Sequence, residues 1–329
     1  MEKYLPAEWH TQEAIQLTWP HSGTDWAGTL EEVTRCYTDM AREIALRQQL
    51  WIVTPQPQRT KATLEAGLPG KALANIRYFR IASNDTWARD HAFISLLRED
   101  GVRELLDFRF NAWGGKFEAG LDNAINREFY EQNFARERAK NIYVSQLDFE
   151  LEGGSIESDG HGTIMTTAQC NLNSNRRTSP GLSACDEEAI GAELCRRLHA
   201  RRILWLHHGG LERDDTDAHI DTLARFCPND TIVYGEGCPE MLRELQGFRT
   251  LDGKPYRLIA VPPYYANFLI MNRAVLLPFY EDTQANLRAK ATLESVFPDR
   301  EVVGIDCRIL LTQNGSLHCC TMQYPSAGE

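Results

Sequence analysis

The sequence predicts an α/β protein assembled from repeated small strand and helix units, and three observations carry that reading. Strand-like and helix-like segments alternate along the whole chain. Strands outnumber helices by about two or three to one, unlike a plain doubly wound chain. Several strand pairs also read as hairpins, with polar connections at Arg98-Glu99-Asp100-Gly101 and at Asp159-Gly160. Successive units share no visible sequence identity, so the repetition is one of pattern alone.

The elements follow in order. Residues 16–20 read as a short strand. Thr29-Leu30-Glu31-Glu32 has capping-box spacing, and Leu30, Val33, Tyr37, Met40, Ala41 and Ile44 keep helical period, predicting a helix to about Arg47. Residues 50–54 form a buried strand stopped by Pro55 and Pro57. A helical stretch surrounds Leu64, and residues 76–79 are strand-like. Residues 91–97 and 105–110 pair as a hairpin, a helix runs over 122–138, and residues 152–165 make a second hairpin. A helix at 186–198 precedes a strand at 203–206. Residues 219–226 read as a strand bearing His219 and Asp221, whose i and i+2 spacing puts both on one face. A strand at 232–234, a helix near 241–246, a strand at 257–260 and a hairpin over 268–276 follow. The chain closes with a helix at 286–296, a strand at 302–306, and the segment Gly315-Ser316-Leu317-His318-Cys319-Cys320.

Composition bounds the class. The chain has 329 residues, 43% hydrophobic and 25% charged, an ordinary globular balance. Length alone suits two domains, but no linker divides the chain. The net charge of -11 argues against nucleic acid and anionic membranes as partners and suits a cationic ligand. The first residues carry no basic stretch followed by an apolar run, and nothing approaches a membrane span, so a cytoplasmic protein is expected. Nine cysteines, an odd number without CxxC spacing, argue against a disulfide framework and a structural zinc site.

Five segments concentrate chemistry-bearing residues. Asn84 to His91 packs two acids, Arg89, His91 and Trp87 into a loop before an apolar strand; an Arg–Asp pair with a core Trp explains it equally well. Asn111-Ala112-Trp113-Gly114-Gly115-Lys116 lets a ring and backbone approach a ligand, or is a tight turn around a packed Trp. Glu152-Gly153-Gly154 aims a carboxylate from a sharp turn, or is an ordinary hairpin entry. In Asp214-Asp215-Thr216-Asp217-Ala218-His219-Ile220-Asp221, solvation accounts for the first acids. Asp221 precedes an apolar run and needs a buried partner. A thiolate at Cys319 or Cys320 is a strong nucleophile if a base or positive neighbour helps it form. A metal set of His207, His208, Asp217, His219 and Cys319 or Cys320 is the competing reading, though its spacing matches no standard zinc site.

Taken together, Trp87-Ala88-Arg89-Asp90, Phe110 to Lys116, Glu152-Gly153-Gly154-Ser155, His219-Ile220-Asp221, Tyr265-Ala266-Asn267 and Leu317-His318-Cys319 resemble the agmatine deiminase and bacterial peptidylarginine deiminase family. The resemblance runs from Pro6-Ala7-Glu8-Trp9 to Gln323. It implies the pentein fold, a single domain over 1–329 made of five ββαβ-type modules in an α/β propeller. It also implies Cys319 as nucleophile, His219 as general acid/base, and Asp90 and Asp221 as the carboxylates gripping a guanidinium. Glu152 would orient the histidine, Trp87 and Trp113 would line the substrate channel, and Asn267 would lie near the reacting centre. Agmatine is then the expected substrate, arginine or peptidyl-arginine the alternative. No metal or organic cofactor is expected, and a homodimer is left open. Two departures stand out: only Val261-Pro262-Pro263-Tyr264 remain where relatives carry a longer segment, and Cys320 replaces the usual aliphatic residue after the nucleophile.

Overall fold

The computed structural model describes residues 2–176, 186–212 and 214–327. It is a mixed α/β structure with five separate sheets, and one construction recurs in them: an antiparallel strand pair, then a helical crossover to a third strand parallel to the second. Ile94–Arg98 pairs antiparallel with Arg103–Arg109, and the helix Asp122–Asn133 leads to the parallel strand Asn141–Glu150. Lys3–Tyr4 adds to the free edge. The second sheet joins Ile156–Ser158, Thr163–Thr167 and, after the helix Glu187–Leu198, Arg202–Leu206. The third joins Ala224–Cys227, Thr231–Gly235 and, after Pro239–Gly247, Arg257–Val261. The fourth joins Leu269–Met271, Ala274–Phe279 and, after Thr283–Val296, Glu301–Asp306.

The fifth sheet is made from both ends of the chain. Thr321–Pro325 lies antiparallel to Gln12–Thr18, which continues through the helix Leu30–Ala45 to Gln49–Thr54 and through Pro57–Gly67 to Ile76–Arg80. Val33, Tyr37, Met40, Ala41 and Ile44 of the first helix are buried against this sheet, as their spacing requires.

Most elements lie where the sequence puts them, with four corrections. Thr29 makes no capping bond; the chain enters the helix through a 3₁₀ turn, Asp25–Thr29, and the Thr24 side chain accepts from Trp26 N instead. The expected helix over 122–138 ends at Asn133, followed by a 3₁₀ turn. The strand Asn141–Glu150 was not foreseen; it is a sheet edge with mixed burial, so its sequence lacks the alternation of a half-buried strand. Finally, His219 and Asp221 are not on a strand. Ile220–Thr222 is a 3₁₀ turn closed by Thr222 Oγ1 on His219 O at 2.8 Å, and the strand starts at Ala224.

That last correction belongs to a pattern. Asp90 lies in the turn Ala88–His91, Glu152 opens the turn Gly153–Ser155, Asn267 follows a turn, and Cys319 lies in the 3₁₀ turn His318–Cys320. Each sits no more than five residues before the leading strand of the antiparallel pair that enters the helical crossover in its sheet, as His219 and Asp221 do. The five sheets therefore deliver one short turn each to the site.

Candidate active site

The turn before the leading strand is a good mount for a reactive side chain, because the sheet fixes its anchor while the turn frees its backbone from the ladder. Gly154 lets three turns meet. A Cβ there would lie 2.7 Å from both Asp90 Oδ1 and His219 Nδ1 and 3.2 Å from Asp221 Oδ2, so only glycine fits. The Glu152-Gly153-Gly154 motif is thus about close approach as much as about aiming a carboxylate.

Asp90 is buried. Its Oδ2 accepts from Trp113 Nε1 at 2.9 Å, and its Oδ1 accepts from Gly154 N at 3.0 Å. Burial pushes it up to about 6; His219 opposes the rise, while Asp221 and Glu152 add to it. Asp221 is fully buried, with Oδ2 held by His318 Nδ1 at 2.7 Å and Oδ1 unpartnered. Burial alone would raise it, but the charge and hydrogen bond of His318, with His219 and Arg225, hold it below the ordinary carboxylate range.

His219 is fully buried, with Nδ1 3.5 Å from Asp90 and Nε2 3.7 Å from Glu152 Oε2. Neither ring nitrogen has a hydrogen-bond partner. Burial disfavours its charged form, yet Asp90 above all, then Cys170 and Glu152, raise it well above the usual imidazole range. Glu152 accepts from Arg176 Nε at 2.9 and 3.2 Å. Arg176 also pairs with Asp217, and Lys116 reaches Asp217 at 3.0 Å. Asp217, itself half-buried, is therefore part of a brace and not a free surface charge.

Cys319 is buried, its Sγ 3.5 Å from Asn267 Oδ1 and 3.9 Å from Asp221 Oδ2. Asn267 also accepts from His318 N at 2.9 Å and donates Nδ2 to Asp221 O at 3.3 Å, tying the last two turns together. Cys320 faces the core instead, with Sγ on Ser316 O at 3.4 Å and Tyr37 beside it. The two thiols diverge, but through a 3₁₀ turn and not through strand alternation.

Cys319, Asp90, Trp87 and Trp113 line one pocket of about 210 Å³, with Asp25, Asp85, Asp215 and Phe117 completing its wall. No Lys, Arg or His among the described residues lines it. Trp87 donates Nε1 to Asp85 Oδ2 at 3.1 Å and packs on Trp26. Trp113 takes a positive φ of 56°, a strained conformation for a bulky residue that its bond to Asp90 and its contacts with Phe110 and Phe117 support.

The expected site residues thus gather in one place. The competing metal set does not: His207 and His208 are exposed and bound to Glu187 and Glu244. Among the described residues, groups able to hold an ion are Glu152, Cys170 and His219, and Glu8, Glu157 and His318. Arg176 already engages the first and Arg225 the second. The eight described cysteines are free; Cys185 lies outside the described residues. Sequence reasoning missed Arg176 and the brace Glu8–His318–Asp221, and it placed Asp85 in a candidate loop without giving it a role. Glu8 and His318 were inside quoted motifs, but partners 310 residues apart leave no local signal.

The chain belongs to the Porphyromonas-type peptidyl-arginine deiminase family, whose sequence pattern matches residues 4–325. An agmatine deiminase from Pseudomonas fluorescens is 30% identical over 98% of this chain and 95% of its own. A C. jejuni agmatine deiminase, solved as a Cys-to-Ser variant with substrate bound, is 31% identical with a TM-score of 0.87, covering 99% of this chain and 97% of its own. A Porphyromonas gingivalis structure, provisionally named an arginine deiminase, is 43% identical with a TM-score of 0.89 over 99% of both chains.

Proposed function

We propose that this protein hydrolyses agmatine to N-carbamoylputrescine and ammonia, a step toward putrescine, within a single-domain five-module α/β propeller. The observation that carries it is the grouping of Asp221, whose Oδ1 is unbonded, with Asp90 and both free nitrogens of His219 around the Cys319 thiol. Charge-assisted bonds from the two carboxylates would hold the guanidinium plane and its cation. The Cys319 thiolate then attacks the central carbon, and His219 protonates the departing ammonia. Water, deprotonated by His219, hydrolyses the resulting S-alkylthiouronium and releases the thiolate. Glu152, itself braced by Arg176, keeps the imidazole in place.

The wall of the pocket favours agmatine over arginine. A distal ammonium would meet Asp25, Asp85 and Asp215, whereas an α-carboxylate would meet like charge with no described cation to receive it. The test is kcat/KM for ammonia release from agmatine, arginine and a C-terminally blocked arginine peptide on one preparation. Agmatine should lead; equal use of either competitor would sink the substrate assignment and leave the chemistry standing.

A further inference from the structure

The brace behind Asp221 is not used by the chemistry above. His318 Nδ1 lies 2.7 Å from Asp221 Oδ2, and its Nε2 lies 2.7 Å from Glu8 Oε2. Both contacts are short and fully buried, and a carboxylate oxygen has no proton to give when ionised. One ring therefore spans two buried carboxylates. Glu8 is held well below its ordinary range: burial would raise it, but Arg225 at 2.8 Å, His318 and Arg89 outweigh that. Asp221 is lowered as well. Arg225, Glu157 and Arg89 complete the charges around this group, and Ile270 N donates to the other Glu8 oxygen at 2.6 Å.

We propose that His318 is a positioning residue: bridging Glu8 and Asp221 through its two ring nitrogens, it clamps Oδ2 of Asp221 and leaves Oδ1 as the oxygen offered to the substrate cation. The inference rests on the guanidine reading above. The unpartnered, buried Oδ1 is the independent sign that this carboxylate is arranged for a donor from outside the protein. His318 also links the two ends of the chain, since Glu8 precedes the first strand of the fifth sheet and His318 precedes its last. The clamp is therefore built by the pairing that closes that sheet.

The test separates the two bonds. In H318N the short amide can reach Asp221 from the Nδ1 position but not Glu8; in H318Q the longer amide can reach Glu8 from the Nε2 position but not Asp221. Alkylation of Cys319 by 2-chloroacetamidine, which presents one edge of a guanidinium, is compared at one pH with alkylation by neutral iodoacetamide. The wild type should favour the amidinium reagent. That preference should fall about tenfold or more in H318Q, from the lost bond to a charged group, and stay within about threefold of wild type in H318N. A merely structural role would slow both reagents alike, and melting temperatures check the fold. Preference retained in H318Q, or lost equally in both variants, overturns the inference alone. A wild type with no preference overturns the guanidine reading and the inference with it.

Discussion

Burial, Asp221 and Asp90 push the Cys319 thiol well above its ordinary range, so in the empty pocket it keeps its proton at neutral pH. A guanidinium placed between those acids and the sulfur reverses the local field, so substrate itself would favour the thiolate. Alkylation of the empty protein by iodoacetamide should be slow at pH 7 and climb only as pH rises into the alkaline range; a rate that is flat from neutral upward would contradict this. On the acid side the sign is opposite. Asp90, raised to about 6, loses its charge as pH falls through that value, so kcat/KM for agmatine should drop near pH 6. Asp90→Asn should cost about 2–5 kcal/mol in kcat/KM without unfolding. Cys319→Ser should abolish ammonia release, and Cys320→Ser, which changes a core-facing thiol, should leave most of it.

At the scale of elements, the turns before the leading strands carry the site, and their tolerances are narrow. Gly154→Ala puts a methyl 2.7 Å from Asp90 Oδ1 and His219 Nδ1. Displacing either by about 1 Å should cost roughly 100-fold in turnover. Gly315→Ala would drive into the Trp87 ring, 2.3 Å away, and narrow the pocket. Paired melting and activity measurements on these variants should show activity falling much further than stability. These turns also explain what the sequence disclosed. Periodicity located the strands and crossover helices, because burial against a sheet writes itself into local spacing. It misread residues 219–223 as strand, since a 3₁₀ turn with apolar Ile220 and Leu223 looks extended when only alternation is counted. The site residues were legible because the motifs are short and local. The Arg176 brace and the Glu8–His318 bridge were not, because each exists only once distant turns meet.

For the whole molecule, a net charge of -11 surrounds a pocket walled by Asp25, Asp85 and Asp215. Agmatine is a dication, so kcat/KM should fall as salt rises, whereas a neutral thiol reagent should be indifferent. Asp85→Asn should weaken agmatine use by roughly tenfold if the acid meets the distal ammonium, and change arginine use less. Among the described residues no helix is long and apolar enough to cross a membrane. The pairing of Thr321–Pro325 with Gln12–Thr18 has a consequence in time. During synthesis Asp90, Glu152, Arg176, His219 and Asp221 all leave the ribosome before residue 319. On the proposed roles, a nascent chain can therefore assemble most of its cation-binding parts before it has a nucleophile, and the Cys319 sulfur takes its place only as the final strand docks beside the first.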